Sequence, residues 1–337
     1  MKSEHSGNSN SNVKRINSME YLKIKGLNKP VSRMIYGCTA AAMMNGEDVN
    51  TLLDEVYALG INAFDTAENY GLSEVSLGRW MKARGNREDV VVISKGCHPY
   101  DGVDRMTPEY LRQDIEQSFE RMGTDYIDIY LLHRDVDGVE VGPMVELLNA
   151  YHKAGKIRAF GGSNWTHQRI EETNAYAKEH GLVPFTVSSP NYGLCRQVND
   201  PWGGSAGCIT LTGEENAEAR KWYMENGVAV LAYSSLGRGL FSGKVRSDEI
   251  EKAKAMMEPG AAHAYCHEEN FERLSRAEML ADNKKCTVSQ IALAWMLKQD
   301  VKAFPIVSAS TGERMKDNVR AFEIRLSDEE AKWLNLE

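Results

Sequence analysis

The sequence predicts an α/β fold, a (β/α)8 TIM barrel with an N-terminal β-hairpin and long loops at the C-terminal face. Short apolar runs alternate with amphipathic segments about eight times without a break in composition, which is the pattern of a closed parallel barrel. An open doubly wound sheet is the alternative, but no G-x-G-x-x-G stretch opens an early helix, as such a sheet would usually require. The 337 residues suffice for one large barrel.

The elements follow in order. "EYLKIKGLNKPVSRMIYG" predicts a hairpin and a first strand near residues 34–37. The later strands are expected in "INAF", "VVVISK", "YIDIYLLH", "IRAFGGS", "PFTVSS", "VAVLAYSS" and "VKAFPIVSA". Thr-Pro before "EYLRQDIEQSFERMG" and Gly60 after "VNTLLDEVYAL" are a helix start and a helix stop. The other helices are expected in "SEVSLGRWMKARG", "GPMVELLNAYHKAG", "THQRIEETNAYAKEHG", "GEENAEARKWYMENG", "FERLSRAEMLADN", "TVSQIALAWMLKQD" and "GERMKDNVRA".

Three connections that follow strands are longer than typical βα loops, at about residues 98–107, 191–212 and 236–270. In a barrel, the loops that follow strands all lie on the face where the chemistry takes place. This clustering favours an enzyme over a purely structural barrel.

Composition narrows the functional classes. A formal net charge of -8 argues against a general nucleic-acid or anionic-membrane binder, because such proteins carry a basic stripe. The six cysteines are scattered and form no C-x-x-C pair, which is typical of free thiols in a reducing compartment. Residues 1–18 are polar and rich in Ser and Asn, so we expect a disordered tail there and a single domain over residues 19–337. The expected location is cytoplasmic.

Two features outside the main pattern have ordinary interpretations. His263 and His267 are four residues apart but lack the H-E-x-x-H order of a zinc helix, so no metal site is expected. Cys97 lies two residues after Lys95; it is either a wall residue, the more common case, or an activated thiol.

Four polar residues follow three adjacent predicted strands. Asp65 and Tyr70 lie in "FDTAENYG", Lys95 ends "VVVISK" and His133 ends "YIDIYLLH". Taken singly, the Asp could cap a turn, the Lys could reach solvent and the His could belong to the core. Because the carboxyl ends of barrel strands meet at one mouth, we expect them to lie together.

The chemistry of such a group is coherent. A phenol releases its proton reluctantly, and a nearby ammonium group favours the phenolate. Asp65 would keep Lys95 charged and oriented, while His133 would hydrogen-bond a substrate carbonyl. This set suits protonation of a developing alkoxide. Because no protein side chain donates hydride, a nicotinamide cofactor is implied.

The motifs "FDTAENYG", "ISKG", "LLHRD", "KAGKIRAFGGSN", "VLAYSSLGRGLFSGK" and "PIVSASTGERMKDN" resemble those of the aldo-keto reductase family, in the same order. The resemblance runs from about residue 34 to residue 318. It implies a (β/α)8 barrel that binds NADPH without a Rossmann motif. It also implies a catalytic tetrad of Asp65, Tyr70, Lys95 and His133, with Tyr70 as general acid/base.

The resemblance further implies a set of cofactor-binding residues. Ser163 and Asn164 would hold the nicotinamide carboxamide, and Tyr233 would stack on the ring. Ser189 stands where many relatives carry a Gln that contacts the carboxamide. The residues next to the pyrophosphate would be Ser234, Leu236, Gly237, Arg238 and Gly239. The residues around the adenosine would be Ser308, Ala309, Ser310, Arg314 and Asn318. Other positions along the cofactor would be lined by Gly37, Cys38, Thr39 and Asp65.

The long loops suggest a substrate pocket with aromatic walls. Trp202 lies between Pro201 and two glycines, so the loop could place its indole over the mouth or anchor it on the barrel. With Tyr100 and Trp165 it would suit a cyclic carbonyl or alcohol such as a keto-sugar, glycoside, polyol or steroid.

The choice of cofactor is predicted from Arg314. Its planar, positively charged guanidinium group could bind the 2′-phosphate of NADPH.

The leading interpretation is therefore an NADPH-dependent carbonyl reductase, or an alcohol dehydrogenase running in reverse. One alternative is a cofactor-binding regulatory subunit resembling potassium-channel β-subunits, which share this fold. A barrel isomerase or lyase is a third possibility, but it would not need the adenosine-type motifs. The sequence leaves the substrate, the direction of the reaction and the oligomeric state open.

Overall fold

The computed structural model describes residues 19–202 and 207–337. Eight parallel strands close into a barrel, which confirms the predicted fold class. They are β3 (Ile35–Gly37), β4 (Ala63–Asp65), β5 (Val91–Gly96), β6 (Ile127–Leu132), β7 (Ile157–Ser163), β8 (Val187–Ser189), β9 (Ala229–Ala232) and β10 (Phe304–Val307). Each strand pairs with the next along the chain, and β10 pairs with both β9 and β3.

Helices surround the barrel. In chain order they are α1 (Ala41–Met44), α2 (Asn50–Ala58), α3 (Ser73–Arg84), α4 (Pro108–Met122), α5 (Gly142–Lys153), α6 (His167–Glu179), α7 (Ala217–Asn226), α8 (Ile250–Met256), α9 (Pro259–Tyr265), α10 (Glu268–Lys284), α11 (Val288–Lys298), α12 (Gly312–Val319) and α13 (Asp328–Leu334). Short 3-10 turns occupy Glu214–Asn216, Gly237–Gly239 and Arg320–Glu323. Within the described ranges, no helix is both long and apolar enough to cross a membrane.

Local sequence explains the helix ends. Thr107 caps α4 by accepting a hydrogen bond from the backbone N–H of Tyr110, and Pro108 follows it. Gly123 ends the same helix in the left-handed conformation, at φ 60°, where a residue without a Cβ is not strained. A capping box between Thr287 and Gln290 starts α11, so both side chains satisfy backbone N–H groups that would otherwise lack partners.

The N-terminal hairpin, β1 (Tyr21–Leu22) and β2 (Val31–Ser32), closes the end of the barrel where the strands begin. Thr186, just before β8, donates its hydroxyl to the backbone oxygen of Lys25 at 3.1 Å. Lys29 donates to the oxygen of Val90, just before β5, at 2.6 Å. Gly26 has φ +98°, and a Cβ there would come within 2.9 Å of the Arg158 oxygen. The hairpin therefore seals the face opposite the long loops.

The barrel has two apolar layers. Side chains that point inward from alternate strand positions form a core with the hairpin: Ile24, Val31, Ile35, Ala63, Val91, Ile93, Ile129, Leu131, Ala159, Val187, Leu231 and Phe304. The other face of the strands packs on the helices, for example through Phe64 and Trp80, whose ring centroids are 5.0 Å apart. Strands buried on both faces explain the continuous apolar runs in the sequence.

Two sequence predictions about elements need correction. The stretch of residues 236–270 is not one long loop, because it contains α8 and α9. Each has only seven residues, too few for a helical period to be visible, and Pro259 with the capping side chain of Glu258 starts α9. Neither α1 nor α13 was predicted from the sequence. The predicted disordered tail lies outside the described residues, as do residues 203–206 of the Trp202 loop.

Candidate active site

The structure brings the four predicted polar residues to one place. Asp65 is the last residue of β4, Lys95 lies near the end of β5, and His133 directly follows β6. Lys95 Nζ is 2.8 Å from one carboxylate oxygen of Asp65 and donates to the backbone oxygen of Thr66 at 2.8 Å. The two side chains are 3% and 5% exposed. The ion pair is therefore buried and fixed by a third contact.

Tyr70 lies in the connection between β4 and α3, next to this pair. Lys95 Nζ is 4.9 Å from the centroid of the Tyr70 ring. The ring of His133 meets it edge-on, with centroids 5.7 Å apart. The half-buried phenol thus lies between an ammonium group and an imidazole.

Burial and neighbouring charges set the protonation states. Burial raises the pKa of Asp65, and Lys95 opposes this effect. Burial also acts to lower the pKa of Lys95, but Asp65 and Tyr70 together outweigh it and raise that pKa. The pKa of His133 is held well below its usual range by burial, and then by the charges of Lys95 and Arg134. At neutral pH we therefore expect a charged Lys–Asp pair beside an uncharged imidazole.

A cavity of about 550 Å³ opens above these four residues. Most of the predicted cofactor-binding residues line it: Gly37, Thr39, Asp65, Ser163, Asn164, Ser189, Tyr233, Ser234, Leu236, Arg238 and Ser308. The wall also contains residues that were not in the predicted set: Met44, Asn69, His98, Arg134, Ser235, Ile306 and Val307.

Several other predicted cofactor residues do not line this cavity: Cys38, Gly237, Gly239, Ala309, Ser310, Arg314 and Asn318. Cys38 is fully buried, and burial raises the pKa of its thiol well above the ordinary value. Arg314 is exposed in the first turn of α12. At the start of that helix the N–H of Gly312 donates to the Glu55 carboxylate at 3.2 Å, so this N–H group already has an anionic partner.

One wall of the cavity is a fixed network of polar groups. Asn164 Oδ1 accepts from the Tyr233 hydroxyl at 2.7 Å and from the backbone N–H of Ile209 at 3.3 Å. Its Nδ2 donates to Ser163 Oγ at 3.2 Å. Ser189 donates its hydroxyl to the Leu231 oxygen at 2.8 Å, so this proton is already used within the barrel.

This part of the cavity fits the nicotinamide end of a dinucleotide. Asn164 presents an amide held in place by its neighbours, Tyr233 supplies a flat aromatic surface, and Arg238 brings to the lining a guanidinium group that is paired with Glu258 at 3.2 Å. Asn164, Ser234 and Arg238 all adopt left-handed backbone conformations, with φ of 58°, 53° and 50°. Strained backbone of this kind is common where a fold positions groups for a ligand.

The aromatic residues predicted for the substrate side take three different positions. Trp202 lines the cavity and is 47% exposed, with its ring centroid 5.8 Å from that of Tyr233. Tyr100 is not part of the lining and is 40% exposed; its hydroxyl donates to Glu68 at 2.7 Å and its ring contacts His98, which does line the cavity. Trp165, against expectation, does not line the cavity either.

Trp165 is fully buried and packs on Phe185, with ring centroids 5.4 Å apart. The left-handed turn at Asn164 directs the following residue away from the mouth. Gly162 leaves room for the indole, because a Cβ there would overlap its ring. Trp165 therefore supports Asn164 from below and does not face the cavity.

The two features outside the main pattern were the His263/His267 pair and Cys97. His267 precedes α10, and its Nε2 lies 2.8 Å from the backbone oxygen of His263. Among the residues that are described, no three His, Cys, Asp or Glu side chains are grouped to hold a metal ion. Cys97 is buried and does not line the cavity, and burial raises the pKa of its thiol, which argues against an activated thiol.

Arg134 was not among the predicted site residues, although it directly follows His133 in "LLHRD". Its side chain is buried in the cavity wall. Its role in the cavity could have been predicted, because a charged residue that directly follows a barrel strand lies on the face where barrel enzymes carry their active sites.

Comparison with known proteins gives a consistent result. A relative from Escherichia coli K12, named NADH-specific methylglyoxal reductase, is 29% identical over 314 residues, covering 84% of this chain and 85% of its own. A norsolorinic acid reductase from Emericella nidulans is 28% identical, covering 84% and 70%. An aldo-keto reductase of Schizosaccharomyces pombe whose name carries NADP(+) is 24% identical, covering 90% and 88%. The model of the aldo/keto reductase family matches residues 33–335, and the chain belongs to that family.

Proposed function

We propose that the protein reduces an aldehyde or ketone to an alcohol with NADPH, and that Tyr70 is the general acid/base. The observation that carries the proposal is the buried Lys95–Asp65 pair at the base of the cavity, with Nζ 4.9 Å from the Tyr70 ring centroid. An isolated structural ion pair would not need to lie beside a half-exposed phenol in a cavity of ligand size.

Each residue of the tetrad has a distinct task in this proposal. Tyr70 donates a proton to the substrate oxygen as negative charge develops there. Lys95 stabilises the phenolate that remains, and Asp65 keeps Lys95 charged and oriented. The neutral imidazole of His133 donates a hydrogen bond to the same oxygen and fixes its angle. In the direction of oxidation, the same groups remove the hydroxyl proton.

The bound nicotinamide supplies the hydride. Ser163 and Asn164 would hold its carboxamide, and their mutual hydrogen bonds with Tyr233 keep that surface rigid. Of the two forms, we propose NADPH, because Arg314 offers a planar permanent cation near the predicted adenosine end. The names of the relatives include both cofactors, so the preference must be measured.

The substrate class follows from Trp202. Its indole lines the cavity and is partly exposed, which provides an apolar surface for a flat or cyclic compound. We therefore propose a cyclic carbonyl compound, such as a keto-sugar, glycoside or steroid, in preference to a minimal aldehyde. The lining of the cavity also includes the polar side chains of Asn69 and His98, which would orient ring hydroxyl groups.

The direct test is steady-state oxidation of NADPH and of NADH against a panel of ketosteroids, keto-sugars, quinones and small aldehydes. Tyr70→Phe is the variant that tests the role of the phenol, because it keeps the ring and removes the proton donor. We expect kcat to fall at least ~100-fold while NADPH, followed by cofactor fluorescence, still binds. Near-normal turnover by Tyr70→Phe would rule out its role. Tight cofactor binding without turnover of any carbonyl would instead favour a non-catalytic binding protein.

A further inference from the structure

Arg134 places a permanent positive charge in the cavity wall, directly beside His133. The residue is 8% exposed and lines the cavity. Its Nη1 donates to the backbone oxygen of His133 at 3.0 Å. In the described part of the chain, no Asp or Glu forms an ion pair with it; the adjacent Asp135 is bound by Arg169, at 3.1 Å. The cation therefore faces the cavity without an acidic partner from the barrel.

A buried cation without a counter-ion is costly, so its position calls for a ligand that supplies the opposite charge. The Trp202 ring, 5.1 Å from the Arg134 guanidinium carbon, offsets part of this cost and shields the group from water. The hydrogen bond to His133 uses one N–H group, so others are available. A guanidinium matches a carboxylate best, because two parallel N–H groups bind its two oxygens.

A second arginine against the same indole has different surroundings. The guanidinium carbon of Arg238 is 5.2 Å from the Trp202 ring centroid, and its Nη2 contacts the Glu258 carboxylate at 3.2 Å. It also belongs to the turn after β9 that the family resemblance assigns to the cofactor pyrophosphate. Arg134, by contrast, directly follows His133 and donates to its backbone oxygen. The two guanidinium groups therefore differ in their charge partners.

We propose that Arg134 determines substrate specificity by binding a carboxylate on the carbonyl compound that is reduced. The carboxylate-bearing ring would lie along Trp202, with its carbonyl directed to Tyr70 and His133. This inference rests on the proposed reductase function and deepens it, since it names a charge on the substrate. Arg134 is a binding residue and takes no part in proton transfer.

The experiment compares two substrates of nearly equal shape, 3-formylbenzoate and the neutral 3-formylbenzamide, with the wild-type protein and with Arg134→Gln. We expect the wild type to prefer the anion. In Arg134→Gln, kcat/KM for the anion should fall by about 10- to 100-fold, the effect of one charged hydrogen-bonding pair. For the amide it should change less than about threefold, and the Kd of the cofactor should stay unchanged. Arg134→Lys should recover part of the preference.

Three outcomes would overturn the proposal: a wild type that prefers the amide, an equal loss for both substrates in Arg134→Gln, or a weaker cofactor Kd in that variant. Lys221→Gln, an exposed change on α7, controls for the loss of one charge.

Calorimetry with 3-(hydroxymethyl)benzoate and the cofactor-loaded protein measures the same contact without turnover. Anion binding that depends on Arg134 in a protein that reduces nothing would keep this proposal and reject the reductase function.

Discussion

Replacing Lys95 by Met removes the ammonium group that compensates the buried Asp65 carboxylate. The atoms are 2.8 Å apart and the two side chains are 3% and 5% exposed, so solvent cannot replace the lost partner. Breaking one side of such a pair typically costs about 3–5 kcal/mol. For a chain of this length, about 1.5 °C of melting temperature corresponds to 1 kcal/mol, so we expect a fall of about 4–8 °C. Activity should also fall at least ~100-fold, because Tyr70 loses its neighbouring cation.

The sign of the pH dependence follows from Asp65. Burial raises the pKa of this carboxyl, against the effect of Lys95, and removal of Lys95 raises it further. A carboxyl with a raised pKa in the folded state stabilises the fold at low pH, and this contribution is lost as the pH rises through that pKa. The difference in melting temperature between Lys95→Met and wild type should therefore be smaller at pH 5 than at pH 8.

The assay is thermal unfolding followed by circular dichroism, together with kcat. The double variant Asp65→Asn/Lys95→Met removes both charges, so it should recover most of the melting temperature but none of the activity. A wild-type melting temperature for Lys95→Met at pH 8, or no gain from the added Asp65→Asn, would refute the reasoning about the buried pair.

Three further predictions concern the ligands. Arg314→Ala should weaken NADPH by about 1.5–3 kcal/mol and leave NADH little changed; equal losses in fluorescence titrations would show that Arg314 does not bind the 2′-phosphate. Asn164→Ala removes the group that joins Ser163 and Tyr233, so the Kd of either cofactor should rise about tenfold; an unchanged Kd would contradict the carboxamide assignment. Trp202→Ala should lower kcat/KM for a cyclic substrate and not for a minimal aldehyde; equal losses with a lower melting temperature would mean that the indole is structural.

The fold was predictable because its signals are local and repeated. Apolar runs such as "VVVISK" and "YIDIYLLH" mark strands buried on both faces, and Gly123 and Thr107 mark helix ends. The convergence of Asp65, Lys95 and His133 followed from the barrel, since strand ends meet at one mouth. The short helices α8 and α9 escaped prediction because seven residues hold too little periodicity. The helix α13 is signalled in the sequence only by the capping box between Ser327 and Glu330 at its start.

The direction of individual side chains was harder to predict. Trp165 follows Asn164 in sequence, yet the left-handed backbone at Asn164 turns the indole into the helix layer. Arg134 follows His133, and both reach the cavity because β6 has ended at Leu132 and the alternation of a strand no longer applies. Tyr100 does not reach the cavity lining, and its hydroxyl donates to Glu68 instead. These placements depend on single backbone angles and long-range hydrogen bonds, which a sequence pattern does not encode.

The sealed lower end of the barrel has a consequence for kinetics. The hairpin and the inward core, including Ile24, Val31 and Phe304, block the axis below the tetrad, so cofactor and substrate must exchange on the side of the long loops. A compound that occupies the cavity beside Trp202 would then obstruct the departure of a nicotinamide held by Ser163 and Asn164. We expect a dead-end inhibitor that binds only after the cofactor to slow cofactor release and to appear uncompetitive toward the cofactor.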